Sequence, residues 1–157
     1  MNKMKYNPNA TRNTFIGLLV FLGIGAIGGG GILIISPTGK LIGMPLSVLN
    51  KSPFELFLIP GIILFSVLGI APTLLARAFY KKTDLKLAER LNFFKDMHWT
   101  WTFSIYMAFA LIIWLQIEMQ ILSAVSWVHT FYMFLAGVII FVALLPEVRK
   151  LYKNRIT

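Results

Sequence analysis

The chain has 157 residues, of which 57% are hydrophobic and 13% charged, with a net charge of +9, a pI of 10.1 and a mean hydropathy of +0.75. A soluble domain carries roughly 25% charged residues, so this composition excludes an ordinary soluble protein and leaves room for four hydrophobic helices with short connections in a single domain. Having no cysteine, the chain can form neither disulfides nor thiolate metal sites nor a thiol redox centre, which removes quinone-linked thiol oxidoreductases.

The first predicted span runs over about 15–35, after Lys3, Lys5 and Arg12. Its apolar run of about 21 residues has no small-x-small site behind it, so it reads as a retained helix rather than a secretory signal. Gly23, Gly25 and Gly28 share the spacing of a dinucleotide-binding turn, but they lie inside the apolar run with no acid about 20 residues on, and the match is spurious. Gly25, Gly29 and Gly30, with Ala26, instead form small faces that let another helix backbone approach closely. The run of glycines from Gly28 to Gly31 exceeds what packing needs, which leaves open a bent or partly unwound outer half.

A connection over 36–55 follows. Pro37 and Gly39 suit a tight turn, and Leu41, Ile42, Met44, Leu46, Val48 and Leu49 are too apolar for a solvated loop, so the segment is expected to be ordered, on the membrane surface or capping the bundle. Ser52 is read as the N-cap of the second helix, with Pro53 at its first position and Glu55 near the positive end of its dipole. The second span covers about 56–79, with Pro60-Gly61 and Pro72 permitting kinks. Leu87, Leu91 and Phe94 at helical spacing then predict a short amphipathic helix, which lies at the headgroups or docks a partner. Tyr80, Trp99, Trp101 and Tyr152 at one boundary and Trp127 at the other fit aromatic belts.

The third span covers about 101–122 and ends in a polar cluster, Gln116, Glu118 and Gln120. At 100° per residue the two glutamines share a face and Glu118 lies about 200° from Gln116, so the three cannot line one narrow pocket. With the glutamines inward, Glu118 snorkels or pairs with His129 at the start of the fourth span, which covers about 128–145. Glutamines bonding across helices and a substrate site both fit this pattern.

Thirteen of the fifteen basic residues fall on one side of the four spans; with Asp84, Glu89, Asp96 and Glu147 they leave that side at +9, while Lys40 and Lys51 balance Glu55 and Glu118 on the other. By the positive-inside rule both termini are expected in the cytoplasm, an N-in/C-in all-α polytopic four-helix bundle. Attraction to anionic headgroups accounts for the basic pI without nucleic acid. His98 and His129 fall on opposite sides, which argues against a two-histidine metal centre within one protomer, and His98 with Asp84 or Asp96 lacks a nucleophile elbow. The remaining polar set is Glu55, Glu118 and His129, with Gln116 and Gln120 nearby.

Gly43-Met44-Pro45-Leu46, Ser52-Pro53-Phe54 and Phe57-Leu58-Ile59-Pro60-Gly61, with Trp114 and Gln116, resemble a group of largely uncharacterised small bacterial four-helix membrane proteins over the middle two thirds of the chain. The resemblance implies an architecture and no catalytic residues. It fits a multi-pass protein of the bacterial cell (inner) membrane.

Three function classes follow. The first is a non-catalytic membrane component that binds lipid, a partner membrane protein or a second copy, with no cofactor and no nucleic acid. The second is a small transporter or channel, prompted by Pro60-Gly61, Pro72 and the glutamines, although no ionisable group marks the midplane. The third is a membrane enzyme acting on a lipid or isoprenoid at the outer leaflet, with Glu118 and His129 as acid and base.

Overall fold

A computed structural model describes residues 8–154; the flanking charges Lys3, Lys5 and Arg155 lie outside the described residues. The described residues are all-helical in class, and among them four helices are long and apolar enough to cross a membrane. The first is α1, Pro8–Ile35. The second is composite: α2, Leu58–Ile63, a π-helical segment, Leu64–Ile70, and α3, Ala71–Lys81. After the short α4, Lys86–Arg90, come α5, Trp99–Leu122, and α6, Trp127–Leu144, and the described chain closes with α7, Pro146–Tyr152.

The helix ends follow from local chemistry. Lys82 and Ser123 terminate α3 and α5 in the left-handed conformation, at φ 48° and 49°. Leu145 separates α6 from α7 with an extended ψ of 134°, as expected of a residue that precedes proline. The first helix starts earlier than its apolar run because Thr11–Thr14 continue the helical ladder, with the Thr14 hydroxyl donating to the Ala10 carbonyl at 3.0 Å.

The second span departs most from an ideal helix. Pro72 has no N–H, so the ladder must shift around it, and the chain answers with i→i+5 bonding such as Ala71 N–H to the Ser66 carbonyl. Hydroxyls supply further donors: Thr73 to the Gly69 carbonyl at 2.8 Å and Ser66 to the Ile62 carbonyl at 2.6 Å. The two proline sites thus bracket a widened π-helical stretch.

Around the bundle the order is second span, α1, α6, α5, closed by contacts of α5 with α3. Phe15, Leu19, Leu22 and Ala26 give α1 a buried stripe at helical spacing, met by Leu68, Leu75 and Phe79, by Ala108, Leu111 and Leu115, and by Ala136, Ile139 and Ala143. Lipid is as apolar as leucine, so in a bilayer such helices associate through close packing rather than through escape from water. Glycine makes that approach possible. A Cβ on Gly30 would sit 2.6 Å from the Phe65 backbone nitrogen and 2.8 Å from the Gly61 carbonyl oxygen, and one on Gly69 would sit 3.1 Å from the Ile27 nitrogen. Gly23 is pressed in the same way against the Thr73 hydroxyl. Gly29, expected to be a packing residue, has only an ordinary 3.5 Å contact to Leu64, and α1 runs through its four glycines as one unbroken helix.

The basic end is tied by polar bonds. Buried Asn92 uses its full capacity: Nδ2 donates to the Met97 carbonyl (2.7 Å) and to Glu89 Oε2 (3.0 Å), while Oδ1 accepts from Phe94 N (3.1 Å) and from the Thr102 hydroxyl (2.5 Å). Trp99 Nε1 donates to the Thr83 carbonyl and Trp101 Nε1 to the Ala143 carbonyl, both at 2.8 Å. Tyr152 reaches the Phe79 carbonyl (3.2 Å), and Phe79 stacks edge-on to both Tyr152 and Phe15. The predicted amphipathic helix of this connection is only the five residues of α4, because Asn92 turns the chain immediately after it; Leu87, Leu91 and Phe93 stay exposed.

Candidate functional site

The 36–57 segment forms two 3₁₀ turns, Lys40–Ile42 and Leu46–Lys51, held by backbone bonds. Gly39 and Gly43 bracket the first turn at φ 73° and 65°, a conformation that side chains with a Cβ resist. Phe57 N–H donates to the Pro37 carbonyl at 2.9 Å, fastening the end of the segment to the end of α1. Ser52 is not the N-cap of the second span, which begins at Leu58. The Ser52 hydroxyl is engaged within its own turn, accepting from Phe54 N (3.1 Å) and donating to the Phe54 carbonyl (3.2 Å), and the chain needs the next residues to re-enter the bundle.

Beneath this segment lies a cavity of about 420 Å³. Leu22, Ala26, Leu33, Leu64, Leu111 and Leu115 line it within the bundle, and Ile42, Met44, Leu49 and Phe57 of the segment line it on the side of the connection. Its volume falls in the range of about 300–1,000 Å³ typical of small-molecule sites, and its wall is apolar except at one place.

That place is where α5 meets the start of α6. Glu118 and His129 both face the cavity, with His129 Nε2 3.9 Å from Glu118 Oε2, the histidine side chain 8% and the glutamate 30% exposed. Trp114, one turn before Glu118, lines the same wall, and Tyr132, three residues after His129, lays its hydroxyl against Gly25. Gly25 therefore makes room for a tyrosine head rather than for a helix backbone.

The histidine's protonation pattern follows from its cap. Ser126 and His129 form a capping box at the start of α6: Ser126 N–H donates to His129 Nδ1 at 3.0 Å, and His129 N–H reaches back to the serine hydroxyl. An Nδ1 that accepts cannot carry the proton, so in the neutral ring the hydrogen sits on Nε2 and points toward Glu118. The Trp114 indole N–H, also buried and one turn from Glu118, closes no hydrogen bond of good geometry. Two N–H donors and one carboxylate thus converge on the apolar cavity with their mutual bonding incomplete.

Neither the family models nor the curated proteins nor the solved structures contain a match to this chain. The site is therefore read from its own geometry.

Of the residues the sequence singles out, Glu118 and His129 come together. Gln116 and Gln120 lie on the outer face of α5 and are exposed, so the glutamate rather than the glutamines turns inward. Glu55 is exposed on the 36–57 segment, beside a shallow depression with Leu46, Ser47 and Asn50, away from the other candidates. Trp114 was legible as the first residue of the polar stretch that ends at Gln120 and through the family resemblance, and its i, i+4 relation to Glu118 placed them on one face. Ser126 and Tyr132 carried no separate signal. At the opposite end His98 caps α5, its Nδ1 accepting from Thr100 N–H, with Asp84 3.3 Å from Nε2. Among the described residues no three His, Asp or Glu side chains gather as a metal-ligand set.

Proposed function

We propose that this protein is a non-catalytic integral membrane protein that binds a lipid or another long-chain amphiphile in the cavity between α1, α5, α6 and the second span. The observation that carries this reading is the cavity itself: an apolar space of about 420 Å³ whose polar lining is confined to Trp114, Glu118, Ser126, His129 and Tyr132 of α5 and the start of α6, a volume and polarity that fit one chain and one head. In the orientation given by the positive-inside rule, the basic end faces the cytoplasm, both termini lie inside, and the 36–57 segment borders the cavity on the side of the outer leaflet. The resemblance to small bacterial four-helix proteins supports a place in the bacterial cell membrane.

The test is purification of the full chain in mild detergent followed by lipid extraction and mass spectrometry. The expected result is about one retained amphiphile per chain. Gly29→Leu, whose side chain projects into the cavity from a position with only ordinary contacts, should lower retention several-fold while helical content is unchanged. Purification free of amphiphile, or full retention by Gly29→Leu, would sink the proposal. A membrane enzyme is the second reading, supported by the Glu118–His129 pair; it requires that alanine at either position abolish turnover of a lipid substrate in a folded protein.

A further inference from the structure

Resting on the reading of the cavity as an amphiphile site, we infer that its occupant carries an uncharged hydroxyl head, a long-chain or isoprenoid alcohol rather than an amine, a carboxylate or a phosphate. The polar end offers His129 Nε2–H, whose proton is placed by the Ser126 N–H bond to Nδ1, the Trp114 indole N–H, buried and closing no hydrogen bond of good geometry, and the Glu118 oxygen that faces His129 as an acceptor. Two fixed donors and one acceptor call for a ligand atom that accepts twice and donates once. A hydroxyl oxygen has two lone pairs and one hydrogen and meets that requirement in full.

The alternatives fail on the same count. An ammonium has three donors and no acceptor, so it would meet Glu118 but leave two buried N–H groups facing its own hydrogens. A carboxylate or phosphate would accept from both N–H groups but offers no hydrogen to the Glu118 oxygen and sets a charge against it inside an apolar cavity. An alkane leaves all three groups unpaired, which is costly where water is excluded. Distance agrees with the hydroxyl. Atoms 3.9 Å apart, the His129 Nε2 and Glu118 Oε2, are each reached from a shared oxygen at about 2.8 Å with an angle near 90°, which a hydroxyl or a water can adopt. Tyr132, its hydroxyl held against Gly25, lines the same cavity as Leu22 and Ala26, where the chain would lie.

The experiment measures uptake of tritiated dodecan-1-ol by the full-length detergent-purified protein, in competition with dodecylamine, dodecanoate and dodecane. The alcohol should bind at least about tenfold tighter than each of the other three, the scale of a bond to a charged acceptor. Glu118→Leu, which deletes the acceptor, should remove most of that preference. Trp114→Phe, which keeps an aromatic ring and deletes the N–H, should weaken alcohol and leave dodecane unchanged; circular dichroism of each variant checks the fold. Equal binding of all four compounds, tighter binding of the amine or carboxylate, or an unchanged preference in both variants overturns the hydroxyl assignment while the cavity reading stands. Binding of none of the four, with a single water held between Glu118 and His129, overturns the cavity reading as well.

Discussion

Replacing Gly30 by alanine and, separately, Gly29 by alanine isolates the close approach of α1 to the second span. The two sites are adjacent on one helix, so the propensity gain of alanine over glycine, up to about 1 kcal/mol, is common to both. Their surroundings differ. At Gly30 the new Cβ meets backbone on three counts, Phe65 N at 2.6 Å, the Gly61 carbonyl at 2.8 Å and Phe65 Cα at 2.9 Å, and none of these atoms can rotate away. Restoring normal contact of about 3.5 Å moves two backbones apart by about 1 Å and opens the packing along the whole pair. Overpacking of this kind costs about 1–3 kcal/mol. At Gly29 the nearest atom is the flexible Leu64 Cδ2 at 3.5 Å, so the substitution there is neutral to slightly stabilising. Equilibrium unfolding in mixed micelles, followed by circular dichroism, should show Gly30→Ala below Gly29→Ala by about 1–3 kcal/mol. Coincident unfolding midpoints would refute the claim that backbone contact at Gly30 holds these helices together.

Asn92→Leu removes a side chain whose four hydrogen-bonding positions are all engaged, and strands partners in a buried setting; a loss of about 3 kcal/mol or more is expected in the same unfolding assay, against little for the exposed Asn50→Leu. Burial raises the Tyr152 phenol from 10.0 to about 12, with Arg12 opposing the shift. The folded state therefore holds this proton more tightly than the unfolded chain: the contribution, roughly 2–3 kcal/mol, is fully present below pH 10 and is lost as pH rises through about 12. Unfolding free energy should decline more steeply over that interval in the parent than in Tyr152→Phe, and equal slopes count against the buried phenol. Because the chain has no cysteine, single cysteines at exposed Asn50 and Arg90 report sidedness directly. An impermeant maleimide added to intact cells should label the first and spare the second, and the reverse pattern would invert the proposed topology.

Much of the architecture was legible because it rests on properties that are additive along the chain. Four apolar runs of sufficient length become four long helices whichever neighbours they meet, and their edges moved by only a few residues where they end in side-chain caps or at Pro146. The start of the second span was misplaced for a local reason: Ser52 has two competing uses, helix cap and turn, and its bonds to Phe54 take the second.

The site divides along the same line. Helical periodicity by itself determined that Glu118 and the pair Gln116 and Gln120 occupy different faces of α5, because the angle between residues is a property of one helix. Which face turns inward is a property of several helices at once. It was decided by the packing of Leu111 and Leu115 into the core, which carries Trp114 and Glu118 onto the cavity wall and leaves the glutamines outside. The same holds for glycine: spacing marks where a helix is narrow, but only the partner's position decides that Gly30 receives a backbone, Gly25 a tyrosine hydroxyl and Gly29 the open cavity. Burial, pairing and the tautomer of His129 depend on atoms distant in sequence, and those distances exist only once the bundle has closed.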